Sequence, residues 1–208
     1  MSGAIRRAQA IAAPWPHWRI RNVLPPGLLR GLAQLPLQAS IAVQPSGRRA
    51  YRNDKRIYFD YANMARFPPM RRIAETMQSP ALASTVAETF GAALEHTFLR
   101  IEYALDADGF WLEPHTDIGE KKFTCFIYLD GADDLGTDIY ADAQTLAYRV
   151  PFAANSALAF VPSHDTWHGF APRPIERVRR SLIVNYVSAD WRARAQLSFP
   201  DMPVRVAN

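Results

Sequence analysis

From residue 97 onward the chain breaks into eight short runs rich in β-branched and aromatic residues: 97–105, 110–117, 123–130, 138–140, 145–150, 157–161, 166–170 and 178–187. Turn formers punctuate them, at Asp106-Ala-Asp-Gly109, Asp130-Gly131, Leu135-Gly136, Pro162-Ser163 and Pro172 to Pro174. Runs of that length and spacing predict antiparallel strands in a sandwich or jelly-roll. An α+β chain, mainly β, is therefore expected, with the helices that precede the strands packed on one sheet.

Those helices are signalled by proline at the first turn and by apolar spacing. Pro25-Pro26 opens one that runs to about Leu35, where Pro36 stops it, and Pro68-Pro69 opens a second to about Met77. Ser79-Pro80 caps a third, expected to reach about His96, with Leu82, Val86, Phe90 and Leu94 as one apolar stripe and His96 as a capping or surface residue. Before them, 15–24 is a short extended segment. Between them, Pro45-Ser46-Gly47 is a turn within 38–60, a stretch that fits either a hairpin or an active-site flap. With no internal repeat or linker, 208 residues fit one domain: a helical and extended part over 1–96, a β core over 97–190 and a tail over 191–208.

Within the strands, Glu113-Pro-His-Thr-Asp117 places an imidazole and a carboxylate two residues apart. On a β-strand such residues share a face, so His115 and Asp117 form a two-ligand clip. A third donor, His168, follows 51 residues later (168 minus 117). Two histidines and one carboxylate leave the opposite side of a metal open, the arrangement that suits non-haem Fe(II). The pair His164 and His168 has the spacing of a helical zinc clip, but Pro162-Ser163 before them and Gly169 with Pro172 after them argue against a helix there. In an extended segment four residues span roughly 13 Å, too far for one ion.

Charge adds a weaker constraint. The net charge is +4, with basic groups at Arg48, Arg49, Arg52, Lys55, Arg56, Arg71, Arg72, Arg177, Arg179 and Arg180. They read as a solvated face or as a mouth that draws in an anionic small molecule. No nucleic-acid-binding motif accompanies them. The single cysteine, Cys125, lies in an apolar strand, excludes an intrachain disulfide and suits a reducing compartment. No secretory signal and no run of about 18 apolar residues is seen, so the expected location is cytoplasmic, with no membrane association.

Over 97–187 these residues resemble the Fe(II)/2-oxoglutarate-dependent oxygenases, and within them the prolyl-hydroxylase-like branch. The resemblance implies a double-stranded β-helix, with His115, Asp117 and His168 as metal ligands and Fe(II), 2-oxoglutarate and O2 as cofactor and co-substrates. Arg179-Arg180-Ser181 is similar to the family's R-x-S element, which binds the distal carboxylate of 2-oxoglutarate. Strand alternation puts Arg179 with Ser181, Ile183 and Asn185, and turns Arg180 the other way, so Arg179 is the expected anchor. Tyr128 matches a tyrosine that hydrogen-bonds the same carboxylate, and Tyr103 is a looser match to another pocket tyrosine. Arg180, Trp167 beside the distal ligand, and Arg52 within a candidate lid over 46–60 are the candidates for substrate contact.

What the resemblance implies is oxidation of an unactivated C–H bond with release of succinate and CO2. Hydroxylation of a small molecule or carbohydrate-like metabolite is the expected outcome, with protein side-chain hydroxylation of the prolyl type, or a non-catalytic jelly-roll binding protein, as alternatives. The branch that repairs nucleic-acid bases carries a second arginine six residues after the first; here that position is Asn185 or Tyr186. Oligomeric state is left open.

Overall fold

Alternating side chains along the strands sort the chain into two antiparallel sheets, each face of the larger one with its own partner. A computed structural model describes residues 1–37 and 57–207. The strands are β1 (Gln9–Ile11), β2 (His17–Arg21), β3 (Ile57–Tyr58), β4 (Phe98–Asp106), β5 (Leu112–His115), β6 (Lys121–Asp130), β7 (Asp138–Tyr140), β8 (Leu146–Arg149), β9 (Ser156–Phe160), β10 (His168–Phe170) and β11 (Arg179–Val187). The larger sheet runs β1-β2-β9-β6-β11-β4-β3 and the smaller β5-β10-β7-β8. Each of the eight expected strands is present within two residues of its expected ends.

On one face of the larger sheet, Leu99, Ile101, Tyr103, Cys125, Ile127, Leu182, Val184 and Tyr186 join Met70, Ile73, Leu82, Val86 and Phe90 in one buried core. The helical partners come from α4 (Pro68–Gln78) and α5 (Pro80–Phe90). Burial of each large aliphatic side chain there contributes about 1.5–3 kcal/mol. Burial pushes the Cys125 thiol up to about 12, as expected of a core residue and not a reactive one. The opposite face, carrying Phe126, Tyr128, Leu158 and Phe160, meets Ile139 and Phe170 of the smaller sheet and Val150 and Phe152 just beyond β8 in a second core.

Local signals explain where the elements stop. α5 ends at Phe90, short of the expected 96, because Gly91 takes a left-handed conformation (φ 68) and returns its N–H to Ala87 O at 2.9 Å. Leu94 is buried beyond the helix, and His96 is an exposed residue outside any helix. α2 (Pro26–Ala33) starts at its proline as expected, while α1 (Ser2–Ile5), β1 and α3 (Tyr61–Arg66) carry too little periodicity to be foreseen. The Asp60 side chain caps α3, accepting from Asn63 N at 2.8 Å. The segment after β11 folds back on the larger sheet: Leu197 bridges Arg100, and Val204 is fully buried. Among the described residues no helix is long and apolar enough to cross a membrane.

Candidate metal centre

The pairing of β5 with β10 sets His168 directly opposite His115, and the ring centroids are 4.4 Å apart. Gly169 permits this approach, since a Cβ there would lie 2.8 Å from Leu112 O and 3.1 Å from Glu113 O. Each ring is held the same way. His115 Nδ1 is 2.9 Å from Glu113 O, and His168 Nδ1 is 2.9 Å from Thr166 O. A carbonyl only accepts, so Nδ1 carries the proton in both and Nε2 presents its lone pair.

Asp117 completes the group, but from beyond the strand on which its spacing from His115 places it. β5 ends at His115, and Asp117 lies beyond it, ahead of the turn in which Lys121 N donates to Ile118 O. Two side-chain contacts aim it instead of strand alternation: Oδ1 meets Lys121 Nζ at 2.5 Å, and Oδ2 accepts from Thr124 Oγ1 at 2.7 Å. The ligand atoms of His115, Asp117 and His168 all lie within 4.8 Å of one another, the one such group among the described residues. Two neutral imidazoles and a carboxylate form a donor set that fits a divalent transition metal.

Electrostatics keep these ligands ready. Burial pushes the Asp117 carboxyl up, but the Lys121 ammonium, His168 and the hydrogen bonds from Lys121 and Thr124 outweigh it and hold it far below the usual carboxylate range. Burial is the chief reason His168 is pushed down to about 4, with Asp117 opposing it. Both groups therefore need no deprotonation at neutral pH to bind a cation.

On the inner face of the larger sheet, which His168 meets at Phe126 and Phe160, β11 and its neighbours bring the other expected residues together. Ser181 stands opposite Tyr128 on β6 and Ala104 on β4. Ser181 is fully buried, and its Oγ has no hydrogen-bond partner among the described residues, an orphan that a bound acceptor or donor would satisfy. Arg179 is buried beside it, with its guanidinium carbon 5.0 Å from the Phe170 ring and 5.9 Å from that of Tyr128. Its Nε donates to Leu135 O at 2.7 Å and its Nη1 to Asp106, its register partner, an acidic neighbour not foreseen. Tyr128 OH donates to Thr137 Oγ1 at 2.8 Å and accepts from Thr137 N at 3.2 Å.

Two expected pocket residues lie elsewhere. Tyr103 falls on the helix-facing side with Ile101 and Leu99, and its hydroxyl points to Leu32 O at 3.3 Å. Strand parity is the reason: on β4 the inner face belongs to Arg100, Glu102, Ala104 and Asp106. Arg180 is likewise turned away from Ser181 and pairs with Asp130 at 3.0 Å. Trp167 is half-buried, and its carbonyl accepts from Tyr140 N at 2.9 Å. Arg52 and most of the candidate lid lie outside the described residues, as do Arg48, Arg49, Lys55 and Arg56.

No protein-family model and no curated protein matches this chain. Solved structures do. A prolyl-4-hydroxylase from Pseudomonas putida superposes with a TM-score of 0.60 at 16% identity, covering 90% of this chain and 98% of its own. A prolyl hydroxylase from Trichoplax adhaerens, in complex with a hypoxia inducible factor oxygen degradation domain peptide fragment, gives 0.59 at 14% identity and covers 85% and 86%. SnoN, a non-heme alpha ketoglutarate dependent epimerase from nogalamycin biosynthesis, gives 0.51 at 16% identity and covers 90% and 82%. At such identities the likeness is one of fold.

Proposed function

We propose that this chain is an Fe(II)- and 2-oxoglutarate-dependent oxygenase built on a double-stranded β-helix. The fold reading is supported by the distribution of the strands from β4 on, with β4, β6, β9 and β11 in the larger sheet and β5, β7, β8 and β10 in the smaller. The observation that carries the function is the convergence of His115, Asp117 and His168 between the two sheets, against the inner face of the larger sheet that also presents Arg179, Ser181 and Tyr128.

In this reading His115 Nε2, His168 Nε2 and one Asp117 oxygen hold the iron. Arg179 and Ser181 bind the distal carboxylate of 2-oxoglutarate, with Tyr128 beside them at the buried end of the pocket. The chemistry that these groups would supply when bound is oxidative decarboxylation of 2-oxoglutarate by O2 to succinate and CO2, one oxygen atom entering succinate and the other the oxidised substrate C–H bond. The protein's own contribution is orientation and exclusion of water. Phe126, Phe160 and Phe170 pack between the sheets around His168 and Arg179, keeping the charged groups in an apolar shell.

The substrate is a small molecule or carbohydrate-like metabolite, hydroxylated at an unactivated carbon. Support comes from the likeness to SnoN. Hydroxylation of a protein side chain is the second reading, favoured by the higher TM-scores of the two prolyl hydroxylases. The test is aerobic incubation with Fe(II) and 2-oxoglutarate and a pool of candidate substrates, following succinate. Release that depends on iron and is abolished by His115→Ala is expected; no succinate from a folded, iron-loaded protein contradicts the assignment.

A further inference from the structure

On the inner face of the larger sheet, a chain of hydrogen bonds runs from the Asp117 carboxylate to the far edge. Thr124 Oγ1 donates to Asp117 Oδ2 at 2.7 Å, Asn185 Nδ2 donates to Thr124 Oγ1 at 2.9 Å, and Arg100 Nη1 donates to Asn185 Oδ1 at 2.9 Å. The register makes this possible, because Thr124, Asn185 and Arg100 stand side by side on β6, β11 and β4. Thr124 and Asn185 are fully buried, and Arg100 is 4% exposed.

The chain has only one possible direction. A guanidinium has donors and no acceptor, so Arg100 fixes the Asn185 amide with its oxygen toward the arginine and its NH2 toward Thr124. The Thr124 oxygen, already accepting from that NH2, has a single proton to give. Asp117 Oδ2 receives it. Arg100 is in turn held by Glu102 Oε2 at 2.8 Å, Gln196 Oε1 at 3.0 Å and Tyr58 OH at 3.2 Å, and its guanidinium carbon lies 4.8 Å from the Tyr58 ring and 5.3 Å from that of Trp191.

We infer that Thr124, Asn185 and Arg100 are positioning residues that give the two oxygens of Asp117 different tasks, reserving Oδ2 for the protein and leaving Oδ1, the atom now facing Lys121, for the metal. This rests on the metal reading of the triad. It also makes Gln196 and Trp191, in the segment after the last strand, part of what orients a ligand at the centre of the fold. A carboxylate with one oxygen tied down binds a metal through the other in a fixed direction; untied, it rotates and can chelate through both.

Binding of Co(II) to the metal-free protein tests this without any need for turnover. The readouts are the dissociation constant and the visible spectrum, which reports coordination, alongside the thermal midpoint. Thr124→Val keeps the shape and removes the proton donor. In N185D the new carboxylate accepts from both Arg100 and Thr124, drawing the Thr124 hydroxyl away from Asp117. Each is expected to weaken cobalt binding about 10- to 100-fold, in the range for such outer partners, and to alter the spectrum, whereas Thr124→Ser restores both. Folded Thr124→Val and N185D proteins with wild-type affinity and an unchanged spectrum would overturn the inference. A wild-type protein that binds no cobalt overturns the metal reading and this inference with it, and that result is seen before any substitution is made.

Discussion

His115 and His168 are register partners across the β5–β10 pair, so the backbone ladder of the smaller sheet itself sets the separation of the two imidazoles. Asp117 joins them from a turn and depends on side-chain contacts. The site therefore combines a pair fixed by the sheet with a third ligand fixed by its neighbours.

The close approach of β10 to β5 should be sensitive to one added methyl group. In Gly169→Ala the new Cβ would meet backbone oxygens of Leu112 and Glu113, which have no freedom to retreat as a flexible side chain would. The expected cost is roughly 1–3 kcal/mol of stability, with a loss of metal affinity larger than the stability change explains. Thermal unfolding and cobalt titration on the same preparation check this; an unchanged cobalt constant would show that the strand spacing is not what holds the rings together.

His168 gives the metal-free protein a defined response to acid. Its folded value of about 4 lies below the ordinary 6.5. The unfolded state therefore takes up a proton first as pH falls. The stability from this residue is fully present above about pH 6.5 and is lost as pH drops toward 4, by roughly 3 kcal/mol over the whole window. Urea unfolding at pH 7 and pH 5 should show about 2 kcal/mol of that loss, and His168→Gln should remove this contribution.

Lys121 occupies the Asp117 oxygen assigned to the metal, so ammonium and metal compete for it. Lys121→Met should bind a divalent ion more tightly, by about tenfold, because a neighbouring positive charge is removed and the metal-free carboxylate loses its counter-ion. Weaker binding in this variant, measured by calorimetry, would mean that the part the lysine plays in placing Asp117 outweighs the competition from its charge.

The two tyrosines separate the two faces of the larger sheet. Tyr128→Phe should weaken 2-oxoglutarate binding several-fold, since it alters the pocket beside Arg179 and unpairs Thr137. Tyr103→Phe should leave that affinity within twofold and cost only a small loss of stability from the bond to Leu32. Equal effects on binding would contradict the assignment of faces.

These faces show what could be read from the sequence and what could not. Alternation and turn residues predict the strands, donor types pick out three residues whose ligand atoms lie within 4.8 Å of one another, and parity with Ser181 separates the face of Arg179 from that of Arg180. Parity alone does not say which face is inward, so it cannot tell that Tyr103 shares the helix-facing side of β4 with Leu99 and Ile101. Arg100 and Glu102 escape a sequence reading for a related reason, and Asn185 is placed on the face of Arg179 and Ser181 without a role. Polar residues alternating with apolar ones ordinarily mark the solvent side of a sheet, whereas here they face the interior, where the candidate site lies. Leu94 continues the apolar spacing past Gly91, whose left-handed conformation ends α5 before it.

The most direct test of the central claim is an anaerobic titration of the metal-free protein with Fe(II) and then 2-oxoglutarate, following the visible charge-transfer absorption of the chelated pair. The account predicts a band that needs both additions, is absent in His115→Ala, requires far more 2-oxoglutarate in Arg179→Ala, and is unchanged in Arg180→Ala. A folded protein that binds iron yet shows no band at any 2-oxoglutarate concentration would contradict it.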